Sequence, residues 1–243
     1  MNKQEFFDKI ENGLIISCYA GPDINPEMGH PLVMAHMAKA CLAGGANAIR
    51  TNAQNVTEVR KMIGDDVPLI AIKKIYENGY DGDFRITPTM DVVDELVSYG
   101  CDAIAIDATQ RKRYDELTLE EYVAQIKEKY PELVIIADIS TVEEGVRAWK
   151  AGVDIVGSTL SGYTPYSKNP IVFGSLPTPD PDYEILTELK EAGVGRIIAE
   201  GRYDSGEKLK KGLEAGANAV VIGTSITQPS KVVKNILMNA GLK

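Results

Sequence analysis

The sequence predicts an α/β protein in which residues 1–243 form a single (β/α)8 barrel, also called a TIM barrel. Short segments rich in Val, Ile and Ala recur along the chain, and most of them follow a glycine. They are continuously apolar rather than alternating, as is typical of parallel strands that are buried on both faces. Eight such segments in 243 residues match the size of a (β/α)8 barrel closely. An open doubly wound sheet is the alternative fold.

Five predicted strands follow a glycine that fits the position just after a helix, because glycine enters the left-handed conformation without a Cβ penalty. These segments are 45–50, 100–107, 152–157, 193–198 and 216–222. The three strands without this glycine are 14–17, 69–72 and 133–137. The clearest predicted helices are 29–43, 89–99, 119–129, 142–151, 180–192 and 205–215. Two of them begin with a capping Ser or Thr that is followed by early acids, at Thr118 and at Ser140-Thr141.

The composition argues against several classes of protein. The formal charge of −9 disfavours a nucleic-acid partner, because such binding depends on Lys and Arg facing phosphates. Cys18, Cys41 and Cys101 are odd in number and lack metal-ligand spacing, so we expect reduced thiols. No apolar signal core begins the chain, and no apolar run approaches the roughly 20 residues of a membrane span. We therefore expect a cytoplasmic protein with no membrane partner.

Polar residues collect where the predicted strands end. In order, these residues are Ser17, Arg50, Lys74, Asp107, Asp138, Thr159 with Ser161, Glu200 with Arg202, and Thr224 with Ser225. The carboxyl ends of the strands carry the chemistry of (β/α)8 barrels. This pattern therefore predicts a small polar ligand at that end of the barrel.

The last two strand ends predict a phosphate site. Glu200-Gly201-Arg202 and Gly223-Thr224 form small-residue turns that lead into helices, where backbone N–H groups bind a dianion. Lys74 is the candidate base, because a lysine that is partly desolvated beside other cations has a lowered pKa. Lys73 and Lys74 should point in opposite directions, one of them into the mouth of the barrel. The alternatives are a solvated lysine and, for Glu200, a structural salt bridge.

Other polar residues have simpler interpretations. Asp138 could cap a helix or anchor Ser140 instead of contacting a ligand. The run 111–113, Arg-Lys-Arg, follows an acidic strand end and is more typical of a solvated surface than of a ligand contact. His30 and His36 lie on or beside the first predicted helix, away from any strand end, so we predict no metal site.

Several motifs resemble one family of enzymes. They are 137–145 (ADISTVEEG), 159–164 (TLSGYT), 199–202 (AEGR) and 104–109 (IAIDAT) with the basic run after it. The chain resembles the N-acylglucosamine-6-phosphate 2-epimerases, also called N-acetylmannosamine-6-phosphate 2-epimerases, over nearly its whole length. The resemblance implies a phosphate-binding (β/α)8 barrel without metal or organic cofactor. It also implies interconversion of N-acetylmannosamine 6-phosphate and N-acetylglucosamine 6-phosphate in sialic acid catabolism.

The resemblance also implies roles for individual residues. Lys74 falls on the family's catalytic lysine, which closes the third strand, and Glu200 falls on its acidic partner. Arg50 and Asp138 fall on substrate-binding residues. Our full predicted set adds further substrate contacts and the phosphate turns. The added residues are Ser17, Thr159 and Ser161 for the sugar, and Gly201, Arg202, Gly223 and Thr224 for the phosphate.

Three segments depart from the family pattern. Tyr19 follows Ser17-Cys18 where the family usually has glutamine, which removes an amide expected to contact substrate. Thr51–Asn55 replaces a glycine-containing block, and the loop 75–82 is a little longer than usual. All three surround the mouth of the predicted site, so they bear on which sugar is accepted.

Two other functions remain open at this point. One is a different phosphate-barrel isomerase, or an aldolase in which Lys74 forms a Schiff base. The other is a barrel that binds a sugar phosphate without catalysis. A homodimer is also left open, and so is any closure of the Pro-rich loop 163–181 over the site.

Overall fold

Eight parallel strands form a closed barrel in this computed structural model, which describes residues 1–21, 24–77, 83–171 and 179–242. The barrel strands are β1 Gly13–Cys18, β2 Ala48–Asn52, β3 Leu69–Ile72, β6 Ala103–Asp107, β7 Val134–Asp138, β8 Ile155–Gly157, β9 Ile197–Glu200 and β10 Ala219–Ile222. Each pairs with its neighbours in chain order among these eight. The barrel closes where Gly13–Ile16 lies opposite Ala219–Ile222. The predicted barrel is confirmed, and the open doubly wound sheet is wrong.

Helices alternate with these strands along the chain. They are α1 Lys3–Ile10, α2 Pro31–Ala43, α3 Ala53–Ile63, α4 Met90–Ser98, α5 Leu119–Lys129, α6 Val142–Ala151, α7 Tyr183–Glu191, α8 Gly206–Glu214, α9 Thr224–Thr227 and α10 Pro229–Asn239. The six helices predicted most clearly are all present, with ends displaced by a few residues at most. Thr118 and Thr141 each form a capping box with the glutamate three residues later, as the early acids predicted.

The continuously apolar strands bury residues on both faces. One face, with Ile49, Ile104 and Ile135, packs against the outer helices. The other fills the barrel interior with residues such as Ile15, Ile136 and Val221. The barrel wall is therefore a packed core on both sides, which leaves its two ends as the places where a polar site can lie.

Helix α1 covers the end of the barrel that is opposite the predicted site. Phe6 and Ile10 belong to the interior cluster and are fully or almost fully buried. The Nζ of Lys3 lies 2.9 Å from a carboxylate oxygen of Asp154, which directly precedes β8. The amino ends of the strands are therefore closed, and the carboxyl ends stay accessible.

A hairpin interrupts the third βα unit. Strands β4 Lys74–Tyr76 and β5 Phe84–Ile86 form a separate antiparallel pair, with Lys74 opposite Ile86. The expectation that Lys74 closes the third barrel strand is wrong, because β3 ends at Ile72. The strand that pairs with Lys74–Tyr76 begins only at Phe84, and the local sequence around Lys74 does not indicate this pairing. The lengthened loop 75–82 and the Pro-rich loop 163–181 fall partly outside the described residues.

Candidate active site at the carboxyl ends of the strands

A cavity of about 580 Å³ opens at the carboxyl ends of the barrel strands. Nine predicted site residues line it: Ser17, Arg50, Lys74, Thr159, Glu200, Gly201, Arg202, Gly223 and Thr224. A second depression, of about 520 Å³, lies on the outer surface around α6 and holds none of the predicted residues. The predicted residues thus meet at one place, although strands from the whole chain contribute them.

Arg50 joins two carboxylates at the floor of this cavity. Its guanidinium is 3% exposed and donates to both oxygens of Asp138, at 2.7 Å and 3.3 Å. The same group lies 3.0 Å from Oε2 of Glu200. Burial opposes the charge on Arg50, but Asp138 and Glu200 outweigh it, so the pKa of Arg50 is raised. Arg50 is therefore a permanent cation that holds both acids in place.

Asp138 lies behind the cavity wall and is fully buried. It accepts hydrogen bonds from Arg50 and, at 2.6 Å, from the hydroxyl of Thr159. Neither simpler interpretation of Asp138 holds, because Thr141 caps α6 and Ser140 donates to Glu144. The structure brings Asp138 next to the predicted site residues, where it can orient Arg50 and Thr159 without lining the cavity.

Glu200 ends β9 at the rim of the cavity, with 16% of its side chain exposed. Its backbone is fixed by Ser158, whose hydroxyl accepts from the Glu200 N–H at 3.1 Å and donates to the Glu200 carbonyl at 3.0 Å. Burial, aided by the charge of Asp138, raises the pKa of Glu200 to about 7 against the opposing effects of Arg50, Thr159 and Lys74. A carboxyl group with this pKa can accept or donate a proton near neutral pH.

The side chains of Lys73 and Lys74 point in different directions, as predicted. Lys73 points away from the site, and its Nζ lies 2.6 Å from Glu95 of α4. Lys74 lines the cavity, and its Nζ lies 4.7 Å from the ring centre of Tyr19 and 4.6 Å from that of Phe84. The charge of Lys74 also lowers the pKa of Glu200, so the two groups interact across the cavity.

The predicted phosphate turns form the side of the cavity near β9 and β10. Gly201 and Arg202 both have a left-handed backbone, with φ of 111° and 69°. Gly223 precedes the short helix α9, and a Cβ there would come within 3.1 Å of Ser17. Loops after the last two strands, together with a short extra helix, commonly hold phosphate in this fold.

Two predicted side chains have partners other than a ligand. The guanidinium of Arg202 donates to the carbonyls of Asp180 at 2.9 Å and Ser161 at 2.8 Å, so it braces the loop. The hydroxyl of Ser161 donates to Asp182 at 2.6 Å, and Asp182 caps α7. Ser161 does not line the cavity. Sequence position alone could not show that nearby loop residues would engage these groups.

Several lining residues escaped the sequence analysis. Lys231 and Lys234 reach the cavity from α10, where helical spacing was the only available signal. Burial, and then the nearby charge of Lys234, lower the pKa of Lys231. Of the basic run 111–113, only Arg111 lines the cavity, and its Nη1 lies 2.9 Å from Asp83. Lys112 is exposed at the surface, whereas the guanidinium carbon of Arg113 lies 3.8 Å from the ring centre of Tyr122, so the run is divided among three environments.

Neither histidine takes part in this site. His30 accepts a hydrogen bond from the backbone N–H of Leu32 at 3.3 Å and so caps α2. Across residues 1–21, 24–77, 83–171 and 179–242, no group of His, Cys, Asp and Glu side chains is placed to hold a metal ion. In the same part of the chain, no helix combines the length and apolar character needed to span a membrane.

Comparisons with known proteins agree on one family. The family model NanE, described as "Putative N-acetylmannosamine-6-phosphate epimerase", matches residues 34–240. A protein of Caldanaerobacter subterraneus subsp. tengcongensis named "Putative N-acetylmannosamine-6-phosphate 2-epimerase" is 44% identical, over 97% of this chain and 94% of that protein. A protein of the same name from Clostridioides difficile is 39% identical, over 96% of this chain and 99% of that protein.

Solved structures give the same result. The N-acetylmannosamine-6-phosphate 2-epimerase of Clostridium perfringens has a TM-score of 0.83 at 37% identity, over 96% of this chain and 95% of that one. A thiamine phosphate pyrophosphorylase of Pyrococcus furiosus, with a TM-score of 0.57 at 16% identity, shares the fold alone. Because the family model spans most of the chain and the relatives align over nearly all of it, the protein belongs to the N-acetylmannosamine-6-phosphate epimerase family.

Proposed function

We propose that this protein is a 2-epimerase that interconverts N-acetylmannosamine 6-phosphate and N-acetylglucosamine 6-phosphate, within sialic acid and amino sugar catabolism. The observation that carries the proposal is that Lys74 and Glu200 line the same cavity. Glu200 ends β9, and Lys74 follows β3, which is opposite β9 in the barrel order. Two proton-transferring groups that approach from opposite sides are what inversion at one carbon requires.

The chemistry follows from the acidity of the C2 proton. This proton becomes acidic only when the sugar ring opens and C1 is an aldehyde, because the negative charge is then delocalised onto the C1 oxygen as an enolate. One group removes the C2 proton, the electron pair of the C–H bond moves into the enolate, and the other group delivers a proton to C2 from the opposite face. Glu200, with a pKa of about 7, suits one of these roles, and the cationic Lys74 suits the other and stabilises the negative charge. The step needs no redox partner.

The remaining residues bind and orient in this proposal. Ser17, Arg50 and Thr159 line the cavity beside Glu200 and are suited to contact the sugar hydroxyls. The phosphate is suited to the turns at Gly201-Arg202 and Gly223-Thr224. Asp138 and Ser161 would act through their neighbours, since neither lines the cavity.

Proton NMR of the protein with N-acetylmannosamine 6-phosphate in D₂O tests the proposal. We expect signals of N-acetylglucosamine 6-phosphate to grow with deuterium at C2, and we expect Lys74→Met and Glu200→Gln to slow this by about 10²–10⁴-fold. Lys73→Met is the matched control, because Lys73 lies next to Lys74 in sequence but contacts Glu95 on the outside. No exchange and no product from either epimer would refute the proposal.

The Schiff-base aldolase receives less support from the site. Attack on a carbonyl needs a neutral lysine, whereas two aromatic rings beside Nζ favour the charged form of Lys74. Borohydride added with the substrate would trap a covalent adduct on Lys74 if the aldolase were correct. A barrel that only binds sugar phosphates predicts binding without deuterium incorporation at C2.

A further inference from the structure

The three departures from the family pattern converge on Lys74. Tyr19 directly follows β1, and its ring centre lies 4.7 Å from the Lys74 ammonium nitrogen. Phe84 begins β5, just after the lengthened loop, and its ring centre lies 4.6 Å from the same atom. Both distances are well within the roughly 6 Å over which a cation is attracted to an aromatic face.

The altered block 51–55 fixes the segment that carries Tyr19. The carbonyl of the next residue, Ala20, accepts hydrogen bonds from Asn52 at 2.9 Å and from Gln54 at 2.8 Å. Asn55 in turn donates to Asn52 at 2.6 Å. The chain around Tyr19 is therefore tied to the end of β2 rather than left as a free loop.

Phe84 is held from its own side of the cavity. It pairs with Tyr76 across the hairpin, and the two rings are 5.4 Å apart. The guanidinium carbon of Arg111 lies 5.9 Å from the Phe84 ring centre. The hairpin thus places both the lysine and one of its two aromatic neighbours.

We propose that Tyr19 and Phe84 are positioning residues whose rings hold the Lys74 ammonium group at the cavity wall and favour its charged form. The catalytic consequence rests on the proposed function: Lys74 begins as the proton donor, and Glu200 begins as the acceptor. Glu200 then takes the C2 proton of the epimer that presents it, and Lys74 delivers its proton to the other face. This leaves Glu200 protonated and Lys74 neutral until both exchange protons with water.

Other charges around the cavity act on Lys74 as well. The Glu200 carboxylate favours the charged lysine, in the same direction as the two rings. Five other cations line the cavity and oppose the charge on Lys74: Arg50, Arg111, Arg202, Lys231 and Lys234. Arg50 and Arg111 are each paired with carboxylates. The phenol of Tyr19 and the carboxylate of Asp83 line the cavity too. The contribution of the rings therefore has to be measured by removing each ring while these charges stay in place.

The titration of Lys74 can be followed without any enzymatic activity. Trace labelling with isotopic acetic anhydride between about pH 7 and 11, read by fragment mass spectrometry, gives the pKa of individual lysines, and Lys73 serves as the internal reference. We expect Tyr19→Leu and Phe84→Leu each to lower the pKa of Lys74 by about 0.4–1.5 units. Leucine keeps the wall apolar, so the loss of the ring is the main change. Tyr19→Phe and Phe84→Tyr keep a ring and should leave the titration unchanged.

The outcomes separate the inference from the proposed function. An unchanged titration in both leucine variants would overturn the inference, and so would an equal fall in Tyr19→Phe, which would assign the effect to the hydroxyl group. If circular dichroism shows that one leucine variant does not fold, the pKa of Lys74 in the other leucine variant tests the inference. If the leucine variants lower the pKa of Lys74 but the protein shows no epimerisation, the role of the two rings is supported and the proposed function is refuted. Where activity is present, kcat should fall more than KM rises in the leucine variants, because the rings act through Lys74.

Discussion

Glu200 shares one guanidinium with a second carboxylate. Arg50 contacts Asp138 through both of its terminal nitrogens and contacts Glu200 through one of them. Asp138 makes more contacts with Arg50 and is more deeply buried than Glu200. The negative charge of Glu200 is therefore less well compensated than that of Asp138. Its pKa of about 7 follows from burial and from the nearby Asp138. A single arginine thus separates a structural acid from a reactive one.

This environment predicts the pH dependence of the reaction. If Glu200 starts as the base, only its ionised form is active, and its pKa is raised from an ordinary value of 4.5 to about 7. We expect kcat/KM to fall about tenfold per unit as the pH drops below about 7, rather than below 4.5. A pH profile of kcat/KM from pH 5 to 8 measures this. A flat profile down to pH 5 would contradict the role given to Glu200.

The helix α10 shows how a single element can add to a site without contributing a strand end. Lys231 and Lys234 are three residues apart on this helix and both line the cavity, as do Gly223 and Thr224 of the predicted phosphate turn. Burial and the charge of Lys234 lower the pKa of Lys231, and a bound dianion would offset this repulsion. The side chain of Arg202 has a different task, since it donates to two backbone carbonyls.

Replacing these lysines should therefore weaken the binding of the phosphorylated sugar. We expect Lys231→Met and Lys234→Met each to raise KM by about 10- to 150-fold, with little change in kcat, because a charge-assisted contact to phosphate contributes about 1.5–3 kcal/mol. Steady-state kinetics measure this, with Lys210→Met as the control. Lys210 lies on α8, is 77% exposed and faces Glu214. Equal KM values in the α10 variants and the wild type would show that α10 does not bind the phosphate.

The hairpin of β4 and β5 is the second element that decides the site. It moves Lys74 off the barrel strand and sets Phe84 beside it. The alternation of apolar and polar residues in the chain cannot reveal this pairing, because the two strands are not adjacent in sequence. Lys74 was therefore identified correctly as a cavity residue, although its structural placement was not.

At the scale of the whole molecule, the two ends of the barrel have different tasks. The carboxyl ends hold the cavity, and α1 covers the amino ends with Phe6. In this fold the amino end contributes mainly to stability. The strands between the two ends are packed on both faces, so a change at one end should leave the geometry of the other intact.

Phe6→Ala should accordingly separate stability from activity. We expect the free energy of unfolding to fall by about 3–5 kcal/mol, because the substitution leaves a cavity at a fully buried site. The kcat of the folded protein should stay close to that of the wild type. Urea unfolding and steady-state kinetics measure the two quantities. Phe7→Ala is the control and should cost less, since Phe7 is only half-buried. A large loss of kcat in folded Phe6→Ala would contradict this division.

Other predictions about the whole molecule remain untested. The cytoplasmic location and the roles of individual site residues stay predictions, and the formation of a homodimer stays open. Sedimentation of the purified protein addresses its oligomeric state. The assignment to the epimerase family does not depend on these points, because it rests on similarity over nearly the whole chain.

The sequence by itself determined the closed barrel, the end at which its cavity lies, and nine of the residues that line it. Each of these follows from local patterns: continuous apolar strands, glycines after helices and polar residues at strand ends. The tertiary structure alone decided how those residues are used. It paired Arg50 with Asp138 and Glu200, turned Arg202 and Ser161 toward loop partners, and brought α10 and two aromatic rings to the cavity. These contacts join residues far apart in the chain, and the pKa of Glu200 depends on burial, which no local pattern specifies.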